Sequence, residues 1–316
     1  MTRPPATVVV ALGGNAISAS SKASIHEEFA NTRESIRNLR PLLDAGIRLI
    51  ITHGNGPQVG NRLFATELSW GKVPAIPLGV LVADTQGSIG YMIEQCLRND
   101  LIRRGHAERR VATVVTQVLV DQHDPALIEP TKFVGQAWSV EEAMALREER
   151  GWVLREDKSR GWRRVVGSPQ PLEVVNAPEI RTLLDSGAIV IAGGGGGIPC
   201  YRETDGSLEG VDAVIDKDRL SALLANQVGA PELYILTGVS RVALNFGTPD
   251  VELLDSLSVS RARELHAAGH FPAGSMGPKV DAAIQFIEGG GKRCLITDFA
   301  GLAQALEGGG GTWITA

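Results

Sequence analysis

Apolar runs that end in bare glycine recur along the chain. Val8, Val9 and Val10 continue through Ala11 and Leu12 and stop at Gly13 and Gly14. Ile47 to Gly56 repeats the pattern and ends in Gly54, Asn55 and Gly56. Ala188 to Pro199 ends in five consecutive glycines. Unbroken β-branched runs of this kind predict strands buried on both faces of a parallel sheet. Strands that each discharge into a glycine loop put those loops at one edge of the sheet, where open α/β folds bind ligands. Taken one at a time, glycines only turn chains; the recurrence is what points to a site.

Helical periodicity fills the gaps. Phe29, Ile36, Leu39 and Leu43 share one face of a helix over 27–45, with Pro41 placed to kink it and Gly46 to cap it. Pro57 is placed to open the next helix. A long helix follows over 85–104, with Ile89, Ile93, Cys96, Leu97 and Leu101 inward, then a β-rich stretch over 111–120. Asn176 and Glu179 have capping-box spacing for a helix to Asp185. Beyond residue 210 come a helix begun by Ala213–Ala225, a strand over 233–237, a helix over 256–268 and a loop over 270–279. A helix over 280–288, strands at 293–297 and 312–315, and a helix over 299–306 between them complete the pattern. Alternating strands and helices predict an α/β fold with a mainly parallel sheet.

Residues 121–170 break this rhythm. They are polar and rich in Arg, Glu and Trp, with a charged helix over 139–150 and two short strands over 152–154 and 162–166 that suggest a hairpin. Such an excursion is either a flap that contributes to a site or a surface decoration. Ser18 to Ser24 is polar and is expected to be a mobile loop.

Composition narrows the function classes. The chain has 316 residues, 43% hydrophobic and 21% charged, which is ordinary for a globular protein with one large or two medium domains. A net charge of −5 argues against nucleic-acid binding by bulk charge, so an anionic ligand needs a local positive site. Cys96, Cys200 and Cys294 are far apart in apolar surroundings and suit free thiols in a reducing cytoplasm. No apolar run reaches membrane-spanning length, and the N-terminus lacks a signal-peptide core, so a cytoplasmic protein is expected.

The P-loop, the Rossmann G-x-G-x-x-G fingerprint and H-E-x-x-H are all missing from the sequence. His266 and His270 have metal-pair spacing, but Gly269 loosens their helix and no third ligand follows. The lysines carry more. Asp216, Lys217 and Asp218 stand at a helix start, where acids suit the helix dipole and a lysine opposes it. Lys279 stands at another helix start after Gly274–Pro278. Each lysine alone reads as a surface residue. Two of them at helix starts, beside bare-backbone loops, make a phosphate cradle.

Specific stretches then carry a resemblance. VVVALGGNAI, ITHGNGPQVGN, DTQGSIGY, EPTKFVG, EDKSRGWRRVVGSPQP, AGGGGGIP, VDAVIDKDRLSALLA and AGHFPAGSMGPK occur in order over nearly the whole chain. With them the chain resembles the carbamate kinases of the amino acid kinase superfamily. The resemblance implies a three-layer α/β/α sandwich with a small protruding subdomain. It implies reversible exchange of ATP and carbamate with ADP and carbamoyl phosphate, Mg²⁺ carried with the nucleotide, and a homodimer. Residues 1–210 would form a lobe for carbamate and the phosphoryl group, and 211–316 a lobe for the nucleotide. By position, Gly13, Gly14, Asn15, Gly54 and Asn55 would face the phosphoryl group and carbamate, with Gly194, Gly195 and Gly196 shaping that pocket. Lys217 and Lys279 would neutralise the transferred group and Asp218 would orient them. Lys132 would reach in from the flap. Thr237, Gly238, Val239 and Phe246, with Ala273, Gly274, Ser275 and Met276, would line the nucleotide site. Phe133, where the family often has proline, Phe246, where it often has tyrosine, and Asp84 depart from the pattern. The alternatives are a related kinase for another small acid, which would mostly lack the flap, and an inactive nucleotide-binding regulator, which would not need the lysines.

Overall fold

The three glycine-ended runs lie side by side near the centre of one eight-stranded sheet. In the computed structural model, which describes residues 6–18, 22–158, 160–272 and 274–316, its strands are β1 (Thr7–Leu12), β2 (Arg48–His53), β3 (Val111–Thr113), β4 (Ile189–Ile191), β5 (Glu232–Thr237), β6 (Ser256–Ser258), β7 (Arg293–Asp298) and β8 (Thr312–Thr315). Their order is β6-β8-β7-β5-β1-β2-β4-β3, parallel except where β8 runs against β7. The first 210 residues thus supply one contiguous half of the sheet and the remainder the other. The two halves fuse along the register Val8↔Glu232 to Leu12↔Leu236.

Alternation along the strands feeds two cores. Val9, Ala11 and Ile50 pack with Leu220, Leu224, Val280 and Phe286. Val8, Val10, Leu12 and Ile51 pack on the other face with Ile36, Leu39, Ile89, Ile93 and Leu97. Both cores are fully buried, and the result is the expected three-layer α/β/α sandwich. Because β1, β2, β4 and β5 are parallel, the loops after Leu12, His53, Ile191 and Thr237 emerge at one edge.

Several boundaries differ from the sequence reading, each for a local reason. The 27–45 helix is two helices, Ile25–Asn38 and Arg40–Asp44, divided at Leu39, with Pro41 in the first turn of the second. The long helix starts at Leu78, directly after Pro77. Residues 111–120 split into β3 and the strand Gln117–Leu119, which belongs to a separate sheet. Residues 256–268 begin as β6, and the helix runs only from Val259 to Ala267, capped by the Ser258 hydroxyl. The capping box at Asn176 does not form, because its side-chain oxygen accepts from the Gln117 amide at 2.9 Å instead. In the polar 18–24 segment, residues 19–21 lie outside those described.

The excursion is a small structure with its own core. Strands Lys132–Trp138, Gly161–Val166 and Leu154–Asp157 form an antiparallel sheet, so EPTKFVG supplies an edge strand that the pattern did not reveal. The helix Val140–Arg150 covers it, packing Ala143 and Leu146 on Leu154 among three tryptophans. Phe133 places its ring under the Arg163 guanidinium at 5.3 Å, a stacking surface that proline would not offer. The flap rests on the helix Gly56–Leu68, which begins at the site, through Val59, Leu63, Val134 and Val166.

Glu67, in the last turn of that helix, is buried near Arg150 and Arg164, and its Oε2 has no hydrogen-bond partner among the described residues. Burial pushes its carboxyl up to about 7, against the pull of the Arg164 and Arg150 charges. The native state therefore holds a proton there between the ordinary carboxyl value near 4.5 and about 7 that the unfolded chain releases. Stability drawn from this group is full below that window and is lost as pH rises through it. Glu67→Gln should accordingly raise Tm relative to the parent at pH 8 and change it little at pH 5. A Tm difference that stays constant across that range in calorimetry would refute this account of Glu67.

Candidate active site

The loop after β1 turns through a 3-10 segment, Gly14–Ala16, so Asn15 lies in a tight turn by its backbone. The Gly13 amide donates to the Leu236 carbonyl at 2.9 Å, and a Cβ on Gly13 would sit 2.9 Å from that same oxygen. This approach also brings Gly13 alongside Thr237 at the end of β5. Gly54, after β2, faces both Gly14 and the Lys217 stem, and a Cβ there would be 3.5 Å from each. Gly13, Gly14, Gly54 and Lys217 thus converge on one place.

Lys217 opens the helix Lys217–Val228. The helix is fastened to the sheet by a buried pair of hydroxyls: Thr52 and Ser221 Oγ atoms lie 2.6 Å apart, and Ser221 Oγ donates to the Lys217 carbonyl at 2.6 Å. Lys279, in the first turn of Gly277–Glu288, reaches the same point from the neighbouring helix. Arg219 Nε to Asp281 Oδ2 at 2.9 Å ties the two helices together. Between the lysines stands Asp218. Its Oδ1 accepts from Lys217 Nζ, and its Oδ2 accepts from Lys279 Nζ at 2.9 Å. Burial works against charge on this carboxyl, but the two ammonium groups outweigh it and hold it down at about 2. The carboxylate is therefore ionised at neutral pH and aims two cations at the glycine edge. Lys132 enters from the flap and donates to Asp216 Oδ2 at 3.2 Å.

The loop after β4 is the most constrained part of the site. Gly193, Gly195, Gly196 and Gly197 have φ between 65° and 90°. A Cβ would lie 2.2 Å from the Asn55 amide nitrogen at Gly195 and 2.1 Å from the Ile215 carbonyl oxygen at Gly196. Gly194 lies against the His53 ring. Asn55 is itself committed, its Nδ2 donating to Thr85 Oγ1 at 2.8 Å. His53 Nδ1 lies 3.0 Å from the Gly54 carbonyl, an arrangement in which the ring nitrogen donates. Burial pushes the imidazole down to about 4, the Gly54 contact opposes this, and the Lys217 charge adds to it, so the ring is neutral at neutral pH.

Sequence reasoning did not find these supports. Gln86 of the long helix bonds both the amide and the carbonyl of Thr116, and Thr116 Oγ1 accepts from the Gly193 amide at 2.9 Å. Thr85 and Gln86 occur in DTQGSIGY, but nothing in a linear pattern marks them as the floor of a loop a hundred residues on.

The proposed nucleotide residues are placed by chain position. Thr237 ends β5, with Gly238 exposed and Val239 half-buried beyond it. Gly274 and Ser275 are exposed, and Met276 is half-buried at the start of the Lys279 helix. Phe246 is 67% exposed in the turn after the strand Val242–Leu244. Ala273 lies outside the described residues. Asp84 is exposed on the long helix and lines a cleft of about 670 Å³ with Ile25, Ile76 and Tyr91. Cys96, Cys200 and Cys294 are buried and unpaired, as expected. No helix among the described residues is long and apolar enough to cross a membrane.

Comparison with known proteins places this geometry among relatives. The sequence model of the amino acid kinase family matches residues 6–298. A carbamate kinase of Pyrococcus furiosus is 47% identical over 311 residues, spanning 97% of this chain and 98% of its own length. A carbamate kinase-like protein of Escherichia coli is 43% identical over 97% of this chain and 98% of its own. The structure of a carbamate kinase from Giardia lamblia bound to AMP-PNP superposes with a TM-score of 0.92 at 42% identity, over 99% of each chain.

The glycine loop yields a controlled test. Gly196 and Gly206 share a φ of 90°, but a Cβ at 206 meets open space. Gly206→Ala should cost only the left-handed backbone penalty, about 1–2 kcal/mol. Gly196→Ala adds a collision with backbone and should cost well over about 4 kcal/mol or prevent folding. Equal denaturation midpoints for the two variants would contradict the packing described.

Proposed function

The chain belongs to the amino acid kinase family, and from that premise we propose that it is a carbamate kinase, transferring a phosphoryl group reversibly between ATP and carbamate. The observation that carries the reading is the Lys217–Asp218–Lys279 bridge beside bare glycine backbone. A carbamate oxygen forms the new bond to the γ-phosphorus while the bond to the β–γ bridging oxygen breaks and ADP leaves. Carbamate is already an oxyanion, so the step needs no general base. What the step needs is alignment and charge stabilisation on the equatorial oxygens.

In this reading residues 1–210 hold carbamate and the moving phosphoryl group, and 211–316 hold the nucleotide. Gly13, Gly14 and Asn15, with Gly54 and Asn55, receive the acceptor and the phosphoryl oxygens, and Gly194–Gly196 wall that pocket. Lys217 and Lys279 neutralise the transferred group, and Asp218 aims them. Lys132 binds the acceptor end from the flap. Thr237, Gly238, Val239, Phe246 and 273–276 line the nucleotide side. Among the described residues no group of three or more His, Cys, Asp and Glu could hold a metal ion, and both Asp218 oxygens are taken by lysines. The residues fit a Mg²⁺ that arrives with the nucleotide, held by phosphate oxygens and water; when bound it neutralises phosphate charge. A homodimer belongs to the same reading, supported by Ile25, Ile76, Val80 and Tyr91 exposed on adjoining elements; a monomer in sedimentation would oppose it. A cytoplasmic location belongs to the same reading, supported by three buried free thiols and testable by fractionation.

The purified chain should form ATP from ADP and carbamoyl phosphate in a coupled assay; ADP binding without ATP formation would reject the reading. Lys217→Ala and Lys279→Ala should each lower kcat by about 10²-fold or more, with circular dichroism unchanged. Turnover near the parent value in both would remove the lysines from their assigned roles.

A further inference from the structure

Lys132 is tethered at a defined point, and the residue that tethers it already has another duty. Asp216 is the N-cap of the helix Lys217–Val228. Its Oδ1 accepts from the Asp218 amide at 2.9 Å and from the Arg219 amide at 3.4 Å. A cap bond to one oxygen fixes the carboxylate's rotation, which fixes where the second oxygen points. That second oxygen, Oδ2, holds Lys132 Nζ at 3.2 Å. The Asp216 side chain is only 15% exposed, while that of Lys132 is 43% exposed. The acid is the rigid member and the lysine the one that comes to it. The pair joins residues 84 positions apart, linking the first residue of a flap strand to the helix that begins with Lys217.

We propose that Asp216 is the positioning residue for Lys132, docking the flap's ammonium group against the start of the Lys217 helix so that it is in place when the acceptor arrives. The inference rests on the carbamate kinase reading of the same site. Lys132, Lys217 and Lys279 share two carboxylates, Asp216 and Asp218, so the cluster keeps one net positive charge for an incoming anion. Asp216 touches no reacting atom. It acts through Lys132, and through the cap that keeps Lys217 at the helix start.

The two duties separate by substitution. Asp216→Asn keeps a competent cap but loses the charge, and Asp216→Ser caps with a hydroxyl too short to reach Lys132. With ADP saturating, both should raise KM for carbamoyl phosphate by about three- to tenfold, as expected for losing a partly exposed ion pair that organises a site. KM for ADP should stay within about twofold of the parent value. Each substitution should add nothing in a Lys132→Ala background, because the residue it positions is gone. Thermal denaturation of each variant reports whether the cap survives. An equal rise in KM with and without Lys132, or a rise confined to ADP, would overturn the positioning role. If Lys132→Ala alone leaves KM for carbamoyl phosphate unchanged, the flap lysine has no part in acceptor binding, and it is the functional reading of the flap that fails.

Discussion

A buried carboxylate shared by two ammonium groups organises this molecule. Asp218 is almost fully buried, and an isolated charge there would be untenable. It is tolerable because Lys217 and Lys279 reach it, and they reach it because two helices start at the same sheet edge. The dependence runs both ways. Two ammonium groups side by side would repel each other, and two helix N-termini would add to the positive potential. The carboxylate removes that conflict while leaving the pair electropositive. Replacing the bridge with apolar packing could leave a stable sandwich, since buried ion pairs contribute little net stability. In the proposed reading, the polar cluster is there for what it does to an incoming anion.

The glycine loops follow from the same constraint. In the proposed reading, a phosphoryl group held by the two lysines still has oxygens facing away from them, and these need donors that do not shift during transfer. Backbone amides serve if the chain can come close enough. The Gly193–Gly197 turn has no room for side chains because Leu220, His53, Asn55, Ile215 and Val118 already fill the space. Asn55 is fixed in turn by Thr85, while Gln86 holds Thr116, whose hydroxyl accepts from the Gly193 amide. The rigidity of the loop thus comes from polar groups beneath it, in an order set by the topology.

How much of this could be read in the linear chain depends on range. β1, β2, β4 and the helix starts at Lys217 and Lys279 were legible because each is a local pattern: a buried apolar run, a glycine break, a charge misplaced against a helix dipole. The three-layer sandwich followed from their alternation. The strand Lys132–Trp138 was not legible, because its residues are mostly half-buried with no clean alternation and its pairing with Gly161–Val166 closes over an intervening helix. β6 was hidden by the helix behind it, whose pattern overruns three residues of strand. Asp216 was visible as an acid at a helix start, but its partner Lys132 lies in another subdomain. Asn176 had the correct spacing for a capping box and used its oxygen elsewhere, which only the approach of Gln117 explains.

Three titratable groups divide the molecule by task. Around the phosphoryl position, Asp218 stays ionised and His53 stays neutral through the physiological range, because each is perturbed away from it. The charge states of these two groups at the proposed reacting centre therefore change little with small shifts in pH. Glu67 is displaced into the physiological range, up to about 7, and it sits at the far end of the helix that begins beside Asn55. The flap rests on that helix and delivers Lys132. A chemistry that relies on fixed charge thus keeps its titratable liability about three turns of helix from the centre, at the joint of the one part that reaches in from outside the sandwich.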